Sequence, residues 1–312
     1  MERIVIPGRA TYSPVALSDL IVGAPLATRL LLGATVPGQI VSAGALGYYV
    51  GSAAKDWFAR RGVRPVDFQA AYGVDIDTLS PMPEGFRRAE CRALSEALSD
   101  CWTPHRRSRS EVAVEVNRLL ERTIAQITGQ QIVTSSEVRG FTLAKVVFPF
   151  ALGTCDVISG DVAIFQDTGL LEPHVIAHEF AHRKGYTAEL HAQVLAFFAL
   201  RSSADPQFIQ SARAERLHRN LAVLSGEDPA AYHRELDGLS LRPELMGWFR
   251  ALRPLGSGPP GRVSSAMRTL YDQRMKLSGQ NGLSDYDRGF TDFLWTFGNS
   301  DQATRPRQDA AI

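Results

Sequence analysis

The sequence predicts an α+β fold, mostly helical, with a small β-sheet just ahead of a histidine-bearing helix. Three observations carry that expectation. Helix-period segments recur from about residue 84 to residue 298. One stretch rich in Val, Phe and Thr, QQIVTSSEVRGFTLAKVVFPFAL, followed by GTCDVISGDVAIFQ, reads as strands instead. The chain has 312 residues, 45% of them hydrophobic, enough to bury a sizeable core in one large domain or two small ones.

The N-terminal region, 1–65, is apolar and glycine-rich. Its opening, MERIVIPGRATYSP, has no basic segment leading into an apolar run, so it does not read as a signal peptide. Between Arg29 and Lys55 lie 25 residues without a charge, LLLGATVPGQIVSAGALGYYVGSAA. That length can span a bilayer. Pro37, Gln39 and five glycines keep its hydropathy modest. Ala43, Gly47 and Gly51 recur every four positions, which suits close helix packing. Two readings stand: a membrane-associated or spanning segment at residues 30–54, or a buried or interfacial helical hairpin broken near Pro37–Gly38. In the first, Lys55, Arg60, Arg61 and Arg64 outweigh Arg29, and the positive-inside rule puts the C-terminal bulk in the cytoplasm.

Residues 66–300 read as the main domain, and 301–312 as a flexible tail. A helical stretch is expected at about 84–100. The basic cluster PHRRSRS (104–110) reads as an exposed loop. SEVAVEVNRLLERTIAQITG then sets Val112, Val116, Leu119, Leu120 and Ile124 on one helix face, with Gly129 as the stop. The β-like part follows. Pro173 suits the first turn of the next helix and Gly185 its C-cap. Another helix is expected at about 188–202, with more helix to about residue 298, interrupted by PLGSGPPGR (254–262).

Charge and cysteine content exclude some classes. Lys and Arg number 34 against 33 Asp and Glu, so the chain has no electrostatic footprint for nucleic acid. Cys91, Cys101 and Cys155 form no CxxC pair and no disulfide framework, which favours a reducing compartment.

The chemistry concentrates in HVIAHEFAH, residues 174–182. His178 and His182 stand at i and i+4, so both imidazoles leave one helix face and can share one ion. Glu179 lies beside the first histidine. In an HExxH arrangement that glutamate binds no metal. It takes a proton from the attacking water and passes it to the leaving group, while zinc supplies the Lewis acid. His174 is eight residues from His182, roughly 12 Å along a helix, and falls outside such a site. A third ligand is required. The metzincin pattern wants histidine at position 188, which is Ala188, so Glu189 and His191 remain as candidates, both near the start of the next helix.

HEFAHRKGYTAELHAQVLAFFAL resembles the core of a bacterial family of gluzincin-like zinc metallopeptidases, catalogued as a domain of unknown function. Many of its members carry N-terminal membrane spans. That core reads approximately HELAHQRG, a short spacer, then EDEANFLA, and the spacing matches here without a gap. LSLRPELMGWF and MKLSGQNGLSDYDRGFTDFL resemble later parts of the family. The resemblance covers about 111–297 and leaves the first 65 residues unmatched.

It implies a zincin-like metallopeptidase core with the third ligand in the EAN triplet, whose position here is His191. Histidine for glutamate keeps a competent donor and removes a negative charge. Glu189 stands where the family also has an acid, as second shell or as the true ligand. Tyr286 matches the tyrosine of the family's Ser-Tyr pair and is the candidate catalytic oxyanion donor, with Tyr186 as another. The strand around Lys145–Phe150 would offer an edge to an extended substrate.

The expectation is therefore a zinc-dependent hydrolase acting on a peptide or protein substrate, in the bacterial cytoplasm or at the cytoplasmic membrane. Glu179 is general base, and zinc sits on His178, His182 and His191, with Glu189 as the alternative third ligand. Two alternatives remain open: a metalloenzyme with iron at a three-histidine site, and a non-catalytic membrane-associated scaffold with a structural zinc.

Overall fold

The computed structural model describes residues 1–8, 35–104, 107–140, 152–155, 160–164, 167–226, 228–252, 269, 272–273, 275–277 and 280–303. The fold is mostly helical with two small sheets. Strand β1 (Glu2–Val5) pairs in parallel with β2 (Gln130–Val133), in register from Glu2↔Gln130 to Val5↔Val133. The Gln130 carboxamide fastens this pair to the chain after the first helix. It accepts from the Arg64 N–H at 2.7 Å and donates to Gly62 O and to Glu2 Oε2.

That first helix, α1 (Val36–Arg60), is continuous. Pro37 does not break a hairpin. It lies in the opening turn, where its missing N–H has no helical partner to lose, and Thr35 Oγ1 accepts from the Gly38 N–H. Val36, Ile40, Leu46, Tyr48 and Val50 are exposed along it. Near its end Asp56 is buried, and Arg60 Nε donates to Arg183 O at 2.9 Å. Among the described residues no helix is long and apolar enough to cross a membrane. Residues 30–34 of the uncharged stretch lie outside the described residues.

A short helix, α2 (Phe68–Tyr72), runs from an Asp67 N-cap to Gly73 in the left-handed region and puts Phe68 and Tyr72 into the core. Helix α3 (Glu84–Asp100) lies where helical spacing placed it. Helix α4 (Arg109–Thr128) starts at a capping box: Ser108 Oγ accepts from the Glu111 N–H, and the Glu111 carboxylate accepts from the Ser108 N–H. Its face Val112, Val116, Leu119, Leu120 and Ile124 is buried, and Gly129 ends it at φ 71°.

Among the described residues of the β-like stretch the strands are very short. They are β2, β3 (Arg139–Gly140), β4 (Gly153–Cys155) and β5 (Val162–Ile164). The second sheet has the order β3–β5–β4, with β3 parallel and β4 antiparallel to β5. The expected edge at Lys145–Phe150 and the loop 254–262 lie outside the described residues, as does the tail from residue 304.

The histidine helix, α5 (Glu172–Arg183), packs against α6 (Glu189–Arg201), and α4 lies against both. Every residue of α5 is buried, and so is nearly all of α6. A helix apolar on most sides belongs in the middle of a fold. Helices α7 (Pro206–Ser225) and α10 (Phe290–Gly298) pack on this pair, α8 (Pro229–Asp237) packs on α7, and α9 (Pro243–Ala251) on α8.

Two buried cations pin the end of α5 to the strands. Arg183 donates to Gly160 O, Ser135 O and Glu137 O, and Lys184 Nζ to Ile132 O and Thr134 Oγ1. Burial lowers both, Arg183 to about 10 and Lys184 to about 7.

A second buried tie crosses the helices. Arg87 of α3 donates to Asn220 Oδ1 of α7 and to Thr291 Oγ1 and Asp292 Oδ1 of α10. Its ion pair with Asp292 has side-chain exposures of 4% and 8%, so removing one partner strands a buried charge. Arg87→Ala is expected to cost about 3–5 kcal/mol. Urea unfolding checks this: the midpoint should fall with the m-value unchanged, and a loss below about 1 kcal/mol would contradict it.

Candidate metal centre

The turn after α5 builds one half of the site. Gly185, at φ 108°, follows the C-cap Lys184 and closes a Schellman motif. The Tyr186 N–H donates to Ala181 O at 3.1 Å and the Gly185 N–H to His182 O at 2.9 Å. This turn brings the Tyr186 carbonyl back over the helix, where it accepts from His182 Nδ1 at 2.7 Å. A histidine held through Nδ1 presents Nε2 to a ligand. The chain then enters α6, whose first residue is Glu189.

Three donor atoms converge. His182 Nε2 and His178 Nε2 approach to 3.1 Å. Glu189 Oε2 lies 3.0 Å from His178 Nε2 and 3.3 Å from His182 Nε2. All three residues are buried, and they form a group able to hold a metal ion. Tetrahedral zinc with bonds of about 2.0–2.1 Å has ligand–ligand edges of about 3.3 Å, so this triangle fits the ion. His178 Nδ1 has no hydrogen-bond partner among the described residues.

His191, favoured from the sequence as third ligand, is not brought into this group. It sits two positions after Glu189, about 200° around the helix axis, and faces another way. Its ring lies 4.7 Å from that of Phe68. The alternative, Glu189, is the residue that meets the two histidines.

Glu179 is buried beside the sheet, with Oε1 close to Gly153 of β4. A Cβ built on Gly153 would stand 3.2 Å from that oxygen and 2.9 Å from Ile164 Cδ1. The glycine is thus required by space rather than by its dihedral angles. Nothing in the sequence pattern singled it out, since its partners are 11 and 26 positions away.

The electrostatics follow from burying acids with imidazoles. Burial pushes the Glu179 carboxyl up to about 8, and the charge on Glu189 adds to this while His182 opposes it. Burial lowers His178 to about 4. Burial also opposes charge on His182, but the carboxylate of Glu189 outweighs it and raises His182 to about 9. Glu189 is itself held well below the usual carboxylate range: the charge of His182 and hydrogen bonds from both histidines overcome the burial penalty. The pocket therefore favours positive charge at the point where the donors meet.

Tyr286 comes to the site from a turn of π-helix, Asp285–Gly289, just before α10. Its ring lies 5.7 Å from that of His178. From the same side, Gln280 Oε1 accepts from the Glu189 N–H at 3.0 Å. Tyr186, the other tyrosine candidate, is core: its hydroxyl donates to Arg64 O.

Behind the centre runs a buried polar network. His174, one turn before His178, donates from Nε2 to Gln193 Oε1 at 2.6 Å, and Gln193 donates to Glu215 Oε1. Arg219 Nε donates to the same oxygen at 2.6 Å. Next along α7, His218 Nδ1 lies 2.8 Å from the Tyr232 hydroxyl.

Residues 167–294 match the model of a family described as a protein of unknown function (DUF3810). The match takes in the histidine helix, Glu189 and Tyr286. The description names neither a metal nor an activity. No curated protein matches the chain, and no solved structure matches it.

The network makes stability depend on pH. Burial holds His218 down to about 3, with the charge of Arg219 acting in the same direction. Unfolded histidine titrates near about 6.5, so below that pH the unfolded chain takes a proton that the fold refuses. Stability should therefore fall from about pH 6.5 towards pH 3. Glu215 adds a second loss, between about pH 4.3 and 2, because Arg219 outweighs burial and holds it at about 2. His218→Gln should remove up to about 1.4 kcal/mol per pH unit from the slope between pH 6 and 4. Urea titrations at several pH values measure it, and an unchanged slope would refute the assignment.

Proposed function

We propose that this protein is a zinc-dependent hydrolase of gluzincin type and that its reaction is peptide-bond hydrolysis. The observation that carries the reading is the triangle of His178, His182 and Glu189 with Glu179 buried next to it on the same helix. Zinc bound there would supply a Lewis acid for the attacking water and the scissile carbonyl. The chain's own groups do the rest. His182, fixed by its bond to the Tyr186 carbonyl, and His178 would hold the ion from one helix face, and Glu189 would close the set from the next helix. Glu179, buried beside the triangle on the same helix, would take a proton from water and return it to the leaving nitrogen. The Tyr286 phenol, beside His178, donates to the oxyanion that develops on the carbonyl.

Two histidines with one carboxylate also serve non-haem iron, so metal identity is the deciding measurement. Purified protein is expected to hold about one zinc per chain. Zinc should be lost in Glu189→Ala and kept in Glu179→Gln and His191→Ala. Hydrolysis of a fluorogenic peptide library should stop on chelation and return with zinc. It should fall by about 10²–10⁴ in Glu179→Gln. Stoichiometric iron, or wild type that binds zinc and cleaves no peptide, would overturn the reading.

Helix α1 supports an accompanying proposal, that the protein docks on a lipid surface. Val36, Ile40, Leu46, Tyr48 and Val50 face solvent, as do Trp57 and Phe58, and the Arg61 guanidinium lies 4.2 Å from the Trp57 ring centroid. Exposed apolar and aromatic side chains along a helix that ends at Arg60 and Arg61 suit the boundary between headgroups and acyl chains. Full-length protein is expected to co-sediment with phosphatidylserine-containing vesicles. Ile40→Glu with Tyr48→Glu should abolish this while leaving the zinc content intact. Sedimentation equal in the double variant would remove the role of α1.

A further inference from the structure

Tyr286 sits on a turn that packs against α6, α7 and α10, with Asp285 buried. The five residues Asp285–Gly289 form π-helix rather than α-helix, a widened turn found often at functional sites. What sets the position of the Tyr286 ring beside His178 must come from neighbouring elements.

The candidate is on α7. Arg219 is buried, with a side-chain exposure of 8%. Its Nε donates to Glu215 Oε1 at 2.6 Å and its Nη1 to Asp287 Oδ1 at 3.0 Å. Its guanidinium carbon stands 5.8 Å from the Tyr286 ring centroid. One end of this cation is therefore fixed in the core, and the other grips the residue next to the tyrosine. Glu215 is held in turn through Gln193 to His174, which lies one turn before His178 on α5. The chain of contacts starts on the helix that carries His178 and His182 and ends on the turn that carries Tyr286. Arginine is suited to the task because its planar fork reaches two carboxylates in fixed directions.

We infer that Arg219 is a positioning residue: bridging Glu215 and Asp287, it holds the π-helical turn so that the Tyr286 ring rests against His178. The inference rests on the proposed function only for its catalytic consequence. The ring contact exists or fails in the metal-free protein. His174 then has a place as well, at the far end of the same brace, although it binds no ion.

The test is a ring-to-ring nuclear Overhauser effect in full-length, metal-free protein with carbon-13 labelled histidine and tyrosine rings. The Tyr286–His178 pair, 5.7 Å between centroids, should give a cross-peak. The His218–Tyr232 pair, at 5.6 Å, gives an internal control that shares no residue with the turn, His218 being the chain neighbour of Arg219. Arg219→Ala and Asp287→Ala are expected to lose the Tyr286–His178 peak and keep the control. If Arg219→Ala fails to fold, the control vanishes with it, and Asp287→Ala, at the half-buried end of the bridge, decides alone. A Tyr286–His178 peak unchanged in Asp287→Ala, or absent from wild type, would overturn the inference. Where the protein hydrolyses peptide, Asp287→Ala should lower kcat to the Tyr286→Phe value with KM unchanged. A protein that cleaves nothing leaves the ring measurement standing and separates the two questions.

Discussion

A carboxylate cannot rest in the middle of a helical core beside two imidazoles unless positive charge meets it there. Most of this structure is arranged around that constraint. Glu189 is buried at the first turn of α6, and His178 and His182 face it from α5. Without a cation the same charge balance is kept by a proton held on His182. A divalent ion would replace the proton, which is why metal affinity and pH are linked in such sites. The Schellman turn at Gly185 and the bond from His182 to the Tyr186 carbonyl join α5 to the chain that enters α6, while Arg183 and Lys184 anchor the end of α5 to the strands.

Much of the scaffold could be read directly from the residues, because helix periodicity and caps are local. The capping box at Ser108, the face from Val112 to Ile124, the stop at Gly129 and the placement of Pro173 and Gly185 all follow from spacing of a few residues. The i, i+4 histidines and their neighbour Glu179 were legible for the same reason. The third partner was not. Glu189 and His191 are both competent donors at the right distance along the chain. Only the rotation of α6 about its axis, set by tertiary packing, turns the first towards α5 and the second towards Phe68. Pro37–Gly38 carried one of two readings of α1, a hairpin broken there. Pro37 instead opens a continuous helix, since a proline in the first turn costs nothing.

The polar network was hidden from sequence for a different reason. His174, Gln193, Glu215, Arg219 and Asp287 come from α5, α6, α7 and the π-helical turn, and apart from the i, i+4 pair Glu215–Arg219 they are linked only through the tertiary fold. Each would be costly in isolation within the core. Together they leave a single continuous set of donors and acceptors, with charges of both signs. Such networks give a core one arrangement in preference to others, and here that arrangement backs directly onto the candidate centre.

Gly153 adds a constraint of another kind. Glycine has no smaller replacement, so every mutation at this position adds atoms to a gap bounded by Ile164, the Ala163 carbonyl and the Glu179 carboxylate. Two of those walls belong to the sheet and one is the buried acid. A β-carbon there would meet Ile164 Cδ1 at 2.9 Å and the Ala163 carbonyl and Glu179 carboxylate at 3.2 Å each, so the packing of the strands and the setting of the acid are coupled through one position.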